Sequence, residues 1–243
     1  MVTAAEVKRD LLQLADPQKQ VILSSFFKTG KGEYGEGDQF IGVVAPEQRA
    51  LVHKYKDMEL DEIASLLNDP FHECRLTALF FLVYLYCHAE TEDRKTSLYR
   101  FYCRHISRIN NWDLVDLSAP AIVGEYLLHR DKGVLYDWVA GHQLWEQRIA
   151  VMATFTFIKH HHFPDTFNIV RLLLGHSHDL IHKAAGWMLR EVGKRNLAVE
   201  RLFLDTPHAH HIKTYRVMPR TMLRYAIEKF PEALRQQYLK GTI

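Results

Sequence analysis

The chain is predicted to be all-α, a right-handed solenoid of stacked two-helix repeats. Three observations lead there. Apolar residues recur at helical spacing along nearly the whole chain. Helix-start signals punctuate it at Asn68-Asp69-Pro70, Asn110-Asn111, Pro164-Asp165, Ser177 and Pro219. Basic residues stand near the front of strongly apolar helices at Arg75, Arg148, Lys183 and Arg220, with separations of 73, 35 and 37 residues.

A period in the upper thirties is that of paired-helix repeats of HEAT type. One such pair cannot bury its apolar face alone, so neighbours stack into a curved array. The gap of 73 residues leaves room for one further unit, which holds Trp112 and Asp116. The repeated basic positions would line one surface, the concave one. Because the repeat is degenerate, a compact irregular helical domain is the competing reading.

Leu11, Leu12 and Leu14, then Val21 and Ile22, fit helical faces. Gly30 to Gly37 is the one clear loop, and only Gln39 to Val44 reads as extended. Ile63, Leu66 and Leu67 mark a further helix, as do Leu76, Leu79, Phe80 and Val83. The most hydrophobic stretch, Thr77 to Cys87, is too short to span a bilayer and fits a buried helix. A hydrophobic content of 47% is ordinary, and 25% charged residues argues against general disorder. The 243 residues fit a single domain, 1–243. The N-terminus lacks the charged-then-apolar order of a signal peptide, and Cys74, Cys87 and Cys103 have no CxxC spacing, so a cytoplasmic protein with reduced thiols is expected.

Charge is uneven. From Arg171 onward there are 13 Lys and Arg against 6 Asp and Glu, although the whole chain carries only +2. A basic C-terminal third suits an anionic partner such as a nucleic acid backbone; an unevenly charged solvated surface is the plainer alternative.

Two tryptophans stand out. In a helix, Trp112 and Asp116 lie at i and i+4 and share a face. An aromatic face beside a carboxylate suits stabilisation of a developing positive charge. Pro120 cannot donate to the Asp116 carbonyl, so the helix either kinks there or ends at Ala119 with a new one starting at Pro120. Asp113 reads as a first-turn acid favoured by the helix dipole. In the helix after Ser177, Ile181, Ala184, Ala185, Met188, Leu189 and Val192 form the buried face, with Lys183 and Arg190 opposite. Trp187 falls at the boundary, about 40° from Lys183 and about 60° from Arg190 at about 100° per residue. Gly186 clears space for a close approach, either of a partner molecule or of a neighbouring helix.

Trp145 and Arg148 share a face; Arg148 fits a phosphate clamp or a partner of Asp113 or Asp116. Arg216, Arg220 and Arg224 would form a basic stripe if helical together, or a solvated face. Trp138 reads as core. Gly30 to Gly35 matches G-x-G-x-x-G but follows a helical pattern and opens no helix, so the dinucleotide-binding context is absent. His178-Asp179 and His182 have metal-ligand spacing without an obvious third ligand. The histidines 160–162 and His208, His210 and His211 read as surface loops.

Three segments resemble motifs of the AlkD-type DNA alkylation repair proteins. They are Trp112 to Pro120 (W-D-x-V-D-x-x-A-P), Trp145 to Ala150 (W-x-Q-R-x-A) and Lys183 to Glu191 (K-A-x-G-W-x-L-R-E). Phe40 to Arg49 is similar to a fourth stretch, and the resemblance spans roughly residues 20–225. It implies HEAT-like repeats with a concave basic DNA-binding face, and excision of cationic N3- or N7-alkylated purines from duplex DNA. It further implies Asp116 as catalytic aspartate, Trp112 and Trp187 as active-site tryptophans, and Arg148 as the site arginine. On this basis Arg148, Lys183, Arg190, Phe26, Lys28 and Arg220 are the expected DNA contacts. The expected protein is a monomer on double-stranded DNA containing alkylated purines, with no membrane partner, metal or cofactor. Asn111 and Phe26 depart from the family pattern, where some members carry a tryptophan and a tyrosine. A non-enzymatic HEAT-like protein binding damaged or branched DNA is the main rival, and a protein-binding scaffold the next.

Overall fold

Helices account for the regular structure of the computed structural model, which describes residues 2–208 and 211–243; His210 lies outside the described residues. Among the described residues there are only isolated bridges and no strand. The stretch 39–44, expected to be extended, pairs with no strand. A buried carboxylate serves its backbone instead: Ile41, Gly42 and Val43 donate N–H groups to Glu73 at 3.0, 2.8 and 3.3 Å. Gly42 has φ +96°, and a Cβ there would press on the backbone of Asp16 and Gln20, so only glycine fits.

The chain, read from sequence as one domain, groups by contact into two compact units, Met1–Ile122 and Val123–Ile243. The first holds α1 (Ala4–Gln13), α2 (Pro17–Phe26), α3 (Ala45–Lys54), α4 (Leu60–Leu67), α5 (His72–Cys87), α6 (Glu92–Arg104) and α7 (Trp112–Ser118). Helix α5 is its centre and packs on α1, α3, α4, α6 and α7. Beyond its polar first turn it is largely apolar and buries Leu76, Leu79, Phe80, Phe81 and Leu82, as a central helix must. Helix α2 does the opposite. Its periodicity is helical, yet it buries no residue, and Val21, Ile22 and Phe26 are exposed.

The segment Ala119–Gly124 continues α7 as a π-helical turn. The helix thus continues through Pro120, and no new helix starts there. The wider i→i+5 pattern tolerates its missing donor.

The second unit holds α8 (Glu125–Leu127), α9 (Gly133–Ala140), α10 (Leu144–Lys159), α11 (Pro164–Leu172), α12 (Asp179–Arg195), α13 (Leu197–Asp205), α14 (Thr214–Val217), α15 (Arg220–Ala226) and α16 (Glu232–Lys240). Helices pair as the repeat requires: α10 packs on α9 and α11, and α12 on α10, α11, α13 and α15. The face of α12 read from sequence is the buried one, with Ile181, Ala184, Ala185, Met188, Leu189 and Val192 all at 0% exposure. Gly186 admits a neighbouring helix. A Cβ there would meet the Met222 carbonyl and lie 2.6 Å from the Tyr225 Cβ, so α15 sits against its bare backbone.

Two basic expectations need correction. Arg75 does not line an open surface; it is buried at 2% exposure and donates to Asp38 at 2.6 Å. The Arg216–Arg220–Arg224 stripe is broken, because α14 ends before Met218 and α15 starts after Pro219. Arg216 and Arg220 instead donate to the carbonyls of Gly241 and Leu239, at 2.6 and 2.9 Å, closing the last turn of α16. The histidines 160–162 are exposed, as are His208 and His211.

Beneath α12, Glu200 of α13 is buried with Oε1 lacking a hydrogen-bond partner, and burial pushes its carboxyl up to about 9. A folded-state pKa above the unfolded value of about 4.5 means that the folded form holds an extra proton between the two. Stability from this group is therefore present at acid pH and is lost as pH rises from about 4.5 through about 9. Glu200→Gln is expected to remove that slope. Urea unfolding followed by circular dichroism should show the variant gaining on wild type as pH rises across this window; a pH-independent gap would refute the assignment.

Candidate functional site

In the first unit the site grows from the start of α7. Asn111 caps the helix, its Oδ1 accepting from the Trp112 N–H at 2.8 Å. The cap sets Trp112 in the first turn and Asp116 one turn on, both half-buried. Asn111 is itself buried and turns its Nδ2 to Asp38 at 3.1 Å, so this departure from the family pattern has a structural use.

Trp112 stands in an aromatic group. Phe27 stacks on it at 5.1 Å with 17° between planes, and Phe26 meets it edge-on at 5.8 Å. Phe27 in turn stacks on Phe40 at 5.1 Å. Such contacts stiffen the indole and are worth about 0.5–1.5 kcal/mol each beyond burial. Phe26 is 60% exposed and Lys28 is exposed, with a positive φ of 56°. A cavity of about 280 Å³ opens beside this group, lined in part by Phe26, Phe27, Phe40, Trp112, His72 and Asp113.

Under the aromatic group lies a buried polar cluster. His72 on α5 places Nδ1 3.2 Å from Asp38 and Nε2 2.8 Å from Asp113. Burial alone would depress its pKa, but the carboxylates of Asp113 and Asp38 prevail and raise it to about 9. Burial likewise opposes ionisation of Asp38, yet bonds from His72 and Asn111 and the Arg75 charge hold its carboxyl below the usual range. Asp113 is thus more than a dipole-complementing acid. The glycine-rich loop also gains a role, since it ends at Asp38.

In the second unit α12 carries Lys183, Trp187 and Arg190. Lys183 pairs with Asp179 at 2.7 Å, and Arg190 with Glu228. Trp187 is half-buried, donates its indole N–H to Glu191 at 3.2 Å and lies 6.3 Å from Phe155. Burial disfavours the Glu191 carboxylate, but Lys194, Arg195 and Trp187 hold it ionised. Arg148 is buried at 4% exposure and donates to the Leu180 carbonyl at 2.6 Å, so it does not stand on an open surface as the repeat pattern implied. Arg220 is exposed beside Leu239, and Trp138 is half-buried. His178 caps α12 by accepting from Leu180 N–H, and His182 contacts the His176 carbonyl, so the metal-like spacing serves the helix end.

Sequence reasoning singles out Trp112, Asp116 and Trp187 as candidates, does not single out Phe27, Asp38, His72 or Phe155, and reaches Glu191 only as the end of a motif. Phe40 was flagged only as part of a stretch. Glu191 stands four residues after Trp187 on one helical face and was open to the same spacing argument.

Paired helices stacked in this way define a helical-repeat protein, and the indole and carboxylate one turn apart beside stacked aromatic rings mark its candidate site. The family model for DNA alkylation repair enzyme matches residues 7–230, and the chain belongs to that family. A solved structure described as a predicted DNA alkylation repair enzyme from Enterococcus faecalis shares the fold, with a TM-score of 0.67 over 90% of this chain and 97% of that one. At 16% identity that likeness speaks for the fold alone. No curated protein matches the sequence. Among the described residues, no helix is long and apolar enough to cross a membrane.

Asn111→Ala removes both the α7 cap and a donor to Asp38. The expected loss is about 1–2 kcal/mol, read as a lower urea midpoint. An unchanged midpoint would show that the cap does not hold α7.

Proposed function

We propose that this chain is a monofunctional DNA glycosylase that hydrolyses the N-glycosidic bond of cationic N3- or N7-alkylated purines in duplex DNA. The observation that carries this reading is the Trp112–Asp116 pair, half-buried on one helical face and braced by Phe26 and Phe27. An N7-alkylated guanine already carries positive charge and leaves without protonation, so the site needs no general acid. As the bond breaks, the sugar takes on oxocarbenium character. Asp116 stabilises that charge and orients the attacking water. The Trp112 face adds about 0.5–2 kcal/mol of cation–π stabilisation. Trp187, in the second unit, has the same proposed role. No cofactor is invoked.

Phosphates supply the positioning contacts. Lys183, Arg190, Arg220 and Lys28 are the proposed cations, with Phe26 as an apolar contact. Lys183 and Arg190 would exchange Asp179 and Glu228 for phosphate, which makes binding salt-dependent. Arg148 is proposed to act by holding the first turn of α12, from which Lys183 projects. The protein would work as a cytoplasmic monomer.

Asp116→Asn keeps the shape of the side chain and removes its charge. Release of 7-methylguanine from a methylated duplex is expected to fall by about a hundredfold or more, with DNA affinity nearly unchanged. Equal release by the variant would remove the carboxylate from the mechanism. DNA binding without release by either protein would favour a non-enzymatic DNA-binding role.

A further inference from the structure

His72 is buried at 1% exposure and has a carboxylate oxygen within hydrogen-bond distance of each ring nitrogen: Asp38 at 3.2 Å and Asp113 at 2.8 Å. A neutral imidazole has one N–H and one lone pair, so one of these contacts would set lone pair against lone pair. Only the imidazolium donates to both. Charge balance agrees. Arg75 reaches Asp38 at 2.6 Å, so two carboxylates face two cations when His72 is protonated. With His72 neutral, one buried negative charge would be left without its counterpart.

The two carboxylates belong to different parts of the site. Asp38 ends the glycine-rich loop and accepts from Asn111, which caps α7. Asp113 lies in the first turn of α7, between Trp112 and Asp116. The ring of His72 also packs against Phe40 at 4.7 Å and Phe27 at 4.9 Å, and Phe27 is the ring that stacks on Trp112. Loop, cap, first turn and aromatic group therefore meet at one side chain.

We propose that His72 is a positioning residue, an imidazolium clamp that joins Asp38 to Asp113 and so fixes Trp112 and Asp116 for base excision. The excision part rests on the function proposed above; the clamp does not. His72 touches neither base nor sugar in this account and acts through α7. Besides Asp38, Asp113 and Arg75, the neighbouring polar groups include Asn111 and the Gln39 carbonyl, which accepts the His72 backbone N–H at 2.7 Å, and the charged side chains of Glu73 and Arg49 line the same cavity as His72.

The test uses the full chain labelled with 5-fluorotryptophan, the Trp112 signal being assigned by Trp112→Phe. Fluorine NMR is expected to show that signal moving with a midpoint near pH 9 in the folded wild type. His72→Gln should abolish the movement. Asp113→Asn, which preserves shape should the first variant fail to fold, should bring the midpoint down toward the ordinary histidine range. At neutral pH both variants should slow single-turnover release of 7-methylguanine by about tenfold, with DNA affinity unchanged. A flat Trp112 signal across that range in folded protein, or a midpoint that survives His72→Gln or ignores Asp113→Asn, would overturn the clamp. If wild type releases no base, the glycosylase reading falls, and the fluorine titration still decides the clamp.

Discussion

Asp38, His72, Arg75 and Asp113 form a charge-balanced cluster packed between α5, the glycine-rich loop and α7, and the geometry of the first unit depends on it. Buried ions are costly to desolvate, and removing one partner of such a set costs about 3–5 kcal/mol because the rest stay buried and uncompensated. The cluster is tolerated because each member satisfies another. In return it specifies where α7 starts. Trp112 and Asp116 then follow from helical geometry, and the Phe27–Trp112 stack holds the indole. Glu73, next in sequence to His72, ties down the stretch that follows this loop by a different means, through the backbone N–H groups of Ile41, Gly42 and Val43.

The second unit solves its positioning problem through close approach. Gly186 lets α15 lie against the backbone of α12, which leaves Trp187 at the edge of the packed face. Glu191 then fixes the indole by accepting its N–H while Lys194 and Arg195 keep the carboxylate charged. Arg148 performs a related task from α10 by holding the Leu180 carbonyl. The proposed functional side chains on α12 are therefore set by close helix packing together with the ion pairs Lys183–Asp179 and Arg190–Glu228 and the Trp187–Glu191 hydrogen bond.

Much of this was legible in sequence wherever one helix carried the signal. The buried face of α12, the central burial of α5 and the Asn111 cap all follow from spacing within a few residues. The His72 cluster was not legible: its partners lie 34 and 41 residues away, and no periodicity links a loop aspartate to a helix histidine. Periodicity also shows that a segment is helical without showing what covers it, which is why α2 reads like a packed helix yet buries nothing. The repeat pattern puts Arg75 and Arg148 on a surface because sequence reveals charge but not the Asp38 carboxylate and Leu180 carbonyl that draw them inward. The arginine stripe failed at Pro219, a boundary the sequence itself marked.

In the proposed chemistry the lesion's own positive charge makes the base a leaving group and the protein stabilises the sugar left behind. The most direct measurement is the identity of the bases released by wild-type protein from one duplex carrying 7-methylguanine, 3-methyladenine and the neutral lesion O6-methylguanine. A glycosylase working through the lesion's charge is expected to release the two cationic bases, with O6-methylguanine retained and the strand uncut at the resulting abasic sites. Release of the neutral base at a similar rate, or of none of the three by protein that binds the duplex, would contradict that chemistry.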